Sequence, residues 1–318
     1  MSIKVSVRII TYNHEKWIRQ CLQSVLDQQT TFPFNIIVND DYSPDNTFRI
    51  LQEIQNNNPD RIKLNKPEIN LGVFENSKRA LASCDGEFVA FLDGDDYWHD
   101  PLKLQQQVDF LEKNPHMAMV HSGFNYFIEN KNQVVPFVNR NKKIPSGQIY
   151  EELLKNNFIK TCTTLVRRDV LLKFDDYDLY KSRNFRMADY PRWLSIAKKM
   201  SIGYLNDSLS TYRILDDSAS RPESFEKHKA YVESIYKVKS YFISNYGCSE
   251  KVKNAVEENH FKRLLILAYK YKKPHLAAQY YKNLKNLRNI KFKNHIKYIL
   301  YLSFSYIPFL KRNRHERN

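Results

Sequence analysis

The chain has only seven glycines in 318 residues, and none of them falls in a G-x-G-x-x-G or a G-x-x-x-x-G-K-[ST] pattern. A dinucleotide fingerprint and a P-loop are both excluded, so any phosphate must be held by other means. The four cysteines, Cys21, Cys84, Cys162 and Cys248, include no C-x-x-C pair and no histidine at zinc-ligand spacing. A structural zinc is not expected, and a reducing compartment is the simplest setting. No apolar run reaches the length that spans a bilayer. The amino-terminal stretch MSIKVSVRIITYNHEKW is too briefly apolar for a signal peptide and is interrupted by Arg8 and Asn13, which argues against export. The expected location is cytoplasmic.

What is present is a globular composition, 42% hydrophobic, 14% aromatic and 27% charged, with a formal net charge of +15. A charge of that size is the footprint of a nucleic-acid binder only if it is suitably placed. Residues 251–318 hold 12 Lys and 5 Arg against 3 Glu, whereas residues 1–250 are almost balanced. The molecule is a near-neutral body with a basic tail.

Strand-like and helix-like patterns alternate over the first 120 or so residues. Val5-Ser6-Val7-Arg8-Ile9-Ile10 is β-rich, and Ile18, Leu22, Val25 and Leu26 follow at helical spacing. Ile36-Ile37-Val38 and Ile62-Lys63-Leu64 predict two further strands, Phe48, Leu51 and Ile54 a helix face, and residues 74–83 another helix. Glu87-Phe88-Val89-Ala90-Phe91-Leu92 predicts a buried strand. The alternation predicts an α/β fold with a doubly wound, mostly parallel sheet. Met117 to His121 and Thr163 to Arg167 are strand-like, with a hairpin possible between 117 and 170, and the pattern beyond about Ser224 is helical up to Leu310.

Ligands of such sheets bind beyond the carboxyl ends of the strands, and acidic residues cluster at those ends here. Asn39-Asp40-Asp41 follows one strand and Asp93-Gly94-Asp95-Asp96 another. Three carboxylates within four positions repel one another unless a cation intervenes, and carboxylate oxygens suit Mg²⁺ or Mn²⁺. An acidic turn is the bland alternative, and Asp45 reads as a helix cap before Thr47. Asp41 could accept a hydrogen bond from a base N–H, as recognition of uracil or thymine would require.

Taken in order, Val5-Ser6-Val7, Thr11-Tyr12-Asn13, the run Ile36 to Asp45, Asn70-Leu71-Gly72 and the run Gly86 to Asp96 resemble the family 2 glycosyltransferases of the GT-A fold. The likeness is strong over about 125 residues and weaker to about residue 220. It implies a GT-A domain over 1–222, with a nucleotide-binding part at 1–125 and an acceptor part at 126–222, followed by a basic helical region at 223–318. It implies that Thr11, Tyr12 and Asn13 line the nucleoside site, that Asp41 meets the base and that Asp93 lies near the ribose. Asp95 would hold Mn²⁺ or Mg²⁺ with Asp96 beside it, and Lys78 or Arg79 would face the donor. Asp189, in Met187-Ala188-Asp189-Tyr190-Pro191-Arg192-Trp193, matches the catalytic base, and a helix N-cap is its bland alternative.

The sequence departs from the family pattern at Ala188, where Glu is frequent, after Gly72, where A-R-N is usual, and at Leu215, where Y-R-x-H has His. The implied activity is inverting transfer of a sugar from a UDP- or dTDP-sugar to a glycan or lipid-linked acceptor, in cell-surface polysaccharide synthesis. The alternatives are an inactive GT-A-fold binding protein, which donor hydrolysis would exclude, and a metal-dependent nucleotidyltransferase, which would carry a glycine-rich phosphate loop. The basic tail reads as a solvated helical face, as a nucleic-acid arm lacking any recognised motif, or as an interfacial segment. Ile299 to Leu310, flanked by Lys297 and Lys311-Arg312-Asn313-Arg314, sets aromatics beside cations and favours the interfacial reading, peripheral on the inner face of an anionic membrane, with no nucleic-acid partner.

Overall fold

The computed structural model describes residues 2–137, 144–216, 224–287, 298, 299 and 301. Two compact units divide the chain, Met1–Asp216 and Asp217–Asn318.

The first unit opens with β1 (Val5–Thr11), α1 (Ile18–Leu26), β2 (Phe34–Asp40), α2 (Thr47–Asn56), β3 (Ile62–Asn65), α3 (Val73–Ala82) and β4 (Phe88–Asp93). It continues with β5 (Tyr97–Trp98), α4 (Lys103–Lys113), β6 (Met117–Ile128), β7 (Gln133–Pro136), α5 (Tyr150–Lys155), β8 (Thr164–Arg167), α6 (Arg168–Phe174), α7 (Tyr177–Ser182), α8 (Asp189–Lys199) and β9 (Ser201–Ile214). The strands form one sheet in the order β3-β2-β1-β4-β8-β6-β9-β5, with β7 paired to β6. From β3 to β4 all pairings are parallel, as the alternating pattern predicts. Beyond β4 the sheet is mixed: β8 runs antiparallel to both β4 and β6, and β9 runs parallel to β6.

Both faces of the parallel half are covered, which is why its strands read as nearly unbroken apolar runs. Val5, Val7 and Ile9 of β1, with Ile36 and Val38 of β2 and Phe88, Ala90 and Leu92 of β4, pack with Ile18, Leu22, Leu51, Leu104 and Val108 into one core. The intervening residues point the other way and are buried too, but they include Ser6 and Arg8. Phe91 meets Trp193 of α8 edge-on on that second face.

The second unit contains α9 (Phe225–Tyr246), α10 (Glu250–Lys270) and α11 (Pro274–Asn286). Ser224 caps α9 by accepting the Lys227 N–H, Gly247 ends it at φ 69°, and Pro274 opens α11 where no intrahelical donor is needed. Val232, Leu264, Leu265, Ala268, Ala277, Tyr280 and Leu284 form its core, joined by Tyr298. Among the described residues, no helix is long and apolar enough to cross a membrane. Most of the apolar and basic run from Ile299 to Arg314 lies outside the described residues.

Candidate active site

The register of the parallel strands sets Thr11 of β1 beside Asp40 of β2, and Ile10 of β1 beside Asp93 of β4. Three strand ends, far apart in sequence, therefore open onto one edge of the sheet.

The β1 and β2 ends are tied together by short hydrogen bonds. Asp40 accepts the Ser43 N–H at 3.0 Å and the Ser43 hydroxyl, and Ser43 Oγ accepts the Asn13 N–H at 2.9 Å. Thr47 Oγ1 accepts the His14 N–H at 2.8 Å. Asp45 accepts the Thr47 N–H and the Glu15 N–H, both at 3.0 Å, and so fixes the turn ahead of α2, but it is not the expected cap: Asn46 holds the N-cap position and no side chain caps it. Burial pushes the Asp45 carboxyl up, but these hydrogen bonds outweigh that and hold it below the usual range. Asn13 and Tyr42 both lie at positive φ in the turns so fixed, and Tyr12 and Tyr42 stand about half exposed beside the strand ends.

Asp41 is buried, and each of its carboxylate oxygens accepts a backbone N–H at 2.9 Å, from Leu71 and from Gly72. Asn70 also donates to the Asp41 carbonyl at 2.9 Å. Gly72 adopts φ 80°, a conformation glycine alone takes without strain, and this turns its N–H toward Asp41 as α3 begins. Asp41 thus anchors the Asn70-Leu71-Gly72 segment, and each oxygen keeps a second lone pair. Lys78 and Arg79 are exposed on α3; Lys78 pairs with Asp178 of α7 at 2.9 Å, and neither contacts the strand-end carboxylates among the described residues.

The four acidic residues read as meeting the ribose, holding the metal or acting as the base do not share one role. Asp93 closes β4 with its side chain about 36% exposed, 3.8 Å from the guanidinium of Arg8. Desolvation pushes its carboxyl up to about 6; Arg8 and Arg192 oppose the shift, while Asp95 and Asp189 reinforce it. Asp189 and Asp95 thus act on Asp93 at electrostatic range, although Asp189 follows it by almost a hundred residues. Asp95 is half-buried, and its carboxylate makes no hydrogen bond among the described residues. The turn before it is tight: a Cβ on Gly94 would stand 2.6 Å from Thr11 Oγ1 and 2.8 Å from His14 Nδ1.

Asp96, expected at the metal beside Asp95, is instead only 2% exposed and accepts the Arg213 N–H at 2.7 Å, with the Cys162 thiol as a further partner. Burial first, then Asp95, raises its carboxyl well above the usual range. It fastens the acidic turn to β9. Arg213 completes that clamp by donating to the Asp95 carbonyl at 2.7 Å and pairing with Glu129, which also accepts the Trp17 indole N–H at 3.0 Å.

Asp189 is the first residue of α8, not its N-cap; Ala188 holds that position and no side chain caps it. The Asp189 carboxylate is half-buried and free of hydrogen bonds among the described residues, at the positive end of a helix. The cap alternative fails on this geometry.

Arg8, His14 and Arg213 complete the site, and the residue pattern had assigned none of them a role there. Their signal was present only as anomaly: Arg8 interrupts an apolar strand that must be buried. His14 bonds Thr11 Oγ1 at 3.1 Å, and desolvation holds its imidazole below the usual range against the pull of Asp95, Asp45 and Asp40. Among the described residues, no three Asp, Glu, His or Cys side chains converge to hold a metal by themselves. One open carboxylate among repelling neighbours still fits Mg²⁺ or Mn²⁺, which bind through one or two carboxylates and complete their shell with water and phosphate oxygens.

Residues 6–174 match the family described as Glycosyl transferase family 2, and the chain belongs to that family. An uncharacterized protein of Mycobacterium tuberculosis is 31% identical over 211 residues, which are 66% of this chain and 58% of that protein. The chain thus spans under two thirds of the length of this relative. The Escherichia coli protein WfgD, named as a UDP-Glc:alpha-D-GlcNAc-diphosphoundecaprenol beta-1,3-glucosyltransferase, is 34% identical over 220 residues, 68% of this chain and 79% of that one. Among solved structures, S. aureus TarS 1–349 in complex with UDP superposes with TM-score 0.56 at 19% identity, covering 95% of this chain and 80% of that one. The mannosyltransferase PcManGT from Pyrobaculum calidifontis, in complex with GDP-Man and Mn²⁺, superposes with TM-score 0.61 at 14% identity, covering 96% and 84%. These two likenesses establish the GT-A fold.

Proposed function

We propose that the chain transfers a sugar, with inversion, from a UDP- or dTDP-sugar to a hydroxyl of a glycan or lipid-linked acceptor in cell-surface polysaccharide synthesis. The observation that carries this reading is Asp189, an uncapped and unbonded carboxylate at a helix start, held within electrostatic range of Asp93 at the end of β4. Asp189 takes the proton from the acceptor hydroxyl as that oxygen attacks the anomeric carbon. One base serving one displacement inverts the configuration.

Thr11, Tyr12 and Asn13 line the nucleoside, Asp93 meets the ribose, and the free lone pairs of Asp41 accept from the N3–H of uracil or thymine. Lys78 and Arg79 are left to the rim of the donor site. Asp95 would hold Mn²⁺ or Mg²⁺, and the ion would supply Lewis-acid stabilisation of the charge on the departing diphosphate. Mn²⁺ in the PcManGT structure and the acceptor in the name of WfgD support the cofactor and the lipid-linked acceptor. The protein works in the cytoplasm, held peripherally on the membrane by its basic tail.

The test is to incubate the chain with UDP-, dTDP- and GDP-sugars and Mn²⁺ and to measure donor hydrolysis and transfer. We expect turnover of a UDP- or dTDP-sugar that Asp189→Asn removes. Calorimetry showing GDP bound far more tightly than UDP and dTDP would overturn the base assignment, and undiminished transfer by Asp189→Asn the mechanism.

A further inference from the structure

Arg8 is a cation in the middle of a central strand, 2% exposed. Burying a guanidinium is costly unless every donor is paired. Arg8 Nη2 donates to Ser77 Oγ of α3, Nη1 lies 3.8 Å from Asp93 Oδ1, and the guanidinium stacks 5.2 Å from the Phe91 ring centroid. Nε has no hydrogen-bond partner. Arg192 of α8 lies 4.7 Å from the same Phe91 ring. It is better satisfied, donating to Asp175 at 2.7 Å and to the Tyr177 hydroxyl at 2.6 Å. Tyr177 in turn stands 3.1 Å from Ser77 Oγ. A continuous chain of contacts therefore runs from Asp93 through Arg8, Ser77 and Tyr177 to Arg192, which is one helical turn from Asp189.

A buried arginine that served packing alone would be paired as fully as Arg192 is. Arg8 instead spends one arm on a long ion pair with the Asp93 carboxylate at the end of β4. The cations of α3 offer no substitute, since Lys78 and Arg79 are exposed and Lys78 is paired with Asp178.

We propose that Arg8 is a positioning residue that fixes the Asp93 carboxylate and, through Ser77, Tyr177 and Arg192, sets the spacing between the donor floor and the helix that carries Asp189. The proposal rests on the glycosyltransferase reading above. It makes donor binding depend on a strand-interior cation that touches no substrate.

The test is a double-mutant cycle on nucleotide affinity, read by calorimetry with UDP or dTDP and Mn²⁺. Arg8→Met should weaken binding about tenfold, as loss of a charge-assisted contact predicts, and Arg8→Lys should restore part of that loss. Once Asp93 is Asn, Arg8→Met should change affinity little further. Ser77→Ala, which leaves the strand intact, should weaken binding in the same direction and so carries the test even if Arg8→Met does not fold. Additive losses from Arg8→Met and Asp93→Asn, or unchanged affinity in Ser77→Ala together with Arg8→Lys no better than Arg8→Met, would overturn the proposal. Failure of the wild-type chain to bind any nucleotide would overturn the glycosyltransferase reading itself, which separates the two failures.

Discussion

The two units handle charge in opposite ways. In the first, Arg8, Asp40, Asp41, Asp96, Lys103, His121, Arg192 and Arg213 are all buried; in the second, Ser234 and Lys239 are the only buried polar side chains among the described residues. Yet residues 1–250 are almost neutral, and nearly all of the net charge of +15 lies after them. Strand ends converge, so their turns can surround a charge with backbone N–H groups and partners at fixed distance. Three packed helices bury apolar stripes and, Lys239 apart, leave most of their long cationic side chains in water. A buried charge depends on its geometry, whereas an exposed one is screened and acts by addition. Replacing a charge of the first unit should accordingly have a consequence peculiar to that residue, whereas the exposed charges of the second should be interchangeable.

The sharpest test of that individuality is the neighbouring pair Asp95 and Asp96. Asp95→Asn should lower turnover roughly a thousandfold, about 4 kcal/mol at the transition state, with no change in thermal unfolding. Full activity of that variant in EDTA would break the assignment. Asp96→Ala should act on the fold instead. It strands the buried Arg213 N–H and frees β9 from the acidic turn, costing about 3 kcal/mol of stability, measurable by urea denaturation.

Lys103 extends the comparison to a buried charge outside the site. It is enclosed, donates to Gln107 at 2.6 Å and lies 4.1 Å from the Trp98 ring centroid; desolvation pushes its ammonium down to about 7. Because the folded pKa lies below the unfolded value, the unfolded chain binds more protons between about pH 7 and 10.5, and stability rises with pH across that window. Lys103→Met should therefore be more stable than wild type at pH 7.5, by on the order of 2 kcal/mol. The gain should shrink to nothing as pH approaches 10.5. A gain independent of pH would mean that packing, not charge, was relieved.

Half of this arrangement was legible from residue order. Strands buried on both faces read as apolar runs, and carboxylates directly after them had to reach one edge, so β1, β2, β4 and the positions of Asp41, Asp93 and Asp95 followed. β9 did not. Its centre, Asn206-Asp207-Ser208, is exposed, and the ladder with β6 shifts register at Ser122 and Gly123, which breaks the period-two alternation a strand would otherwise present. Without β9 the hydrogen bond that Asp96 accepts from the Arg213 N–H could not be foreseen. The Arg8 network was invisible for a related reason: Ser77, Tyr177 and Arg192 meet it from three helices whose relative placement no local pattern encodes.

The basic tail gives the smallest effects per residue and the clearest contrast with the first unit. Tyr, Phe, Ile and Leu interleave with Lys and Arg between residues 290 and 318, and each cation close to an anionic surface contributes about 1 kcal/mol. Four or five together would suffice to hold the chain at a membrane, and reversibly, since Ser303, Ser305 and Pro308 interrupt the apolar run. The full chain should sediment with anionic vesicles and not with neutral ones, and a chain ending at Asn289 should stay in solution. Neutralising any single cation, Lys311→Gln or Lys297→Gln alike, should lower partitioning only about fivefold, the factor that 1 kcal/mol represents. Equal pelleting of the long and short chains would make the tail an ordinary solvated helix. A single substitution that abolished binding would instead make it a specific site, and the contrast between the two units would fail.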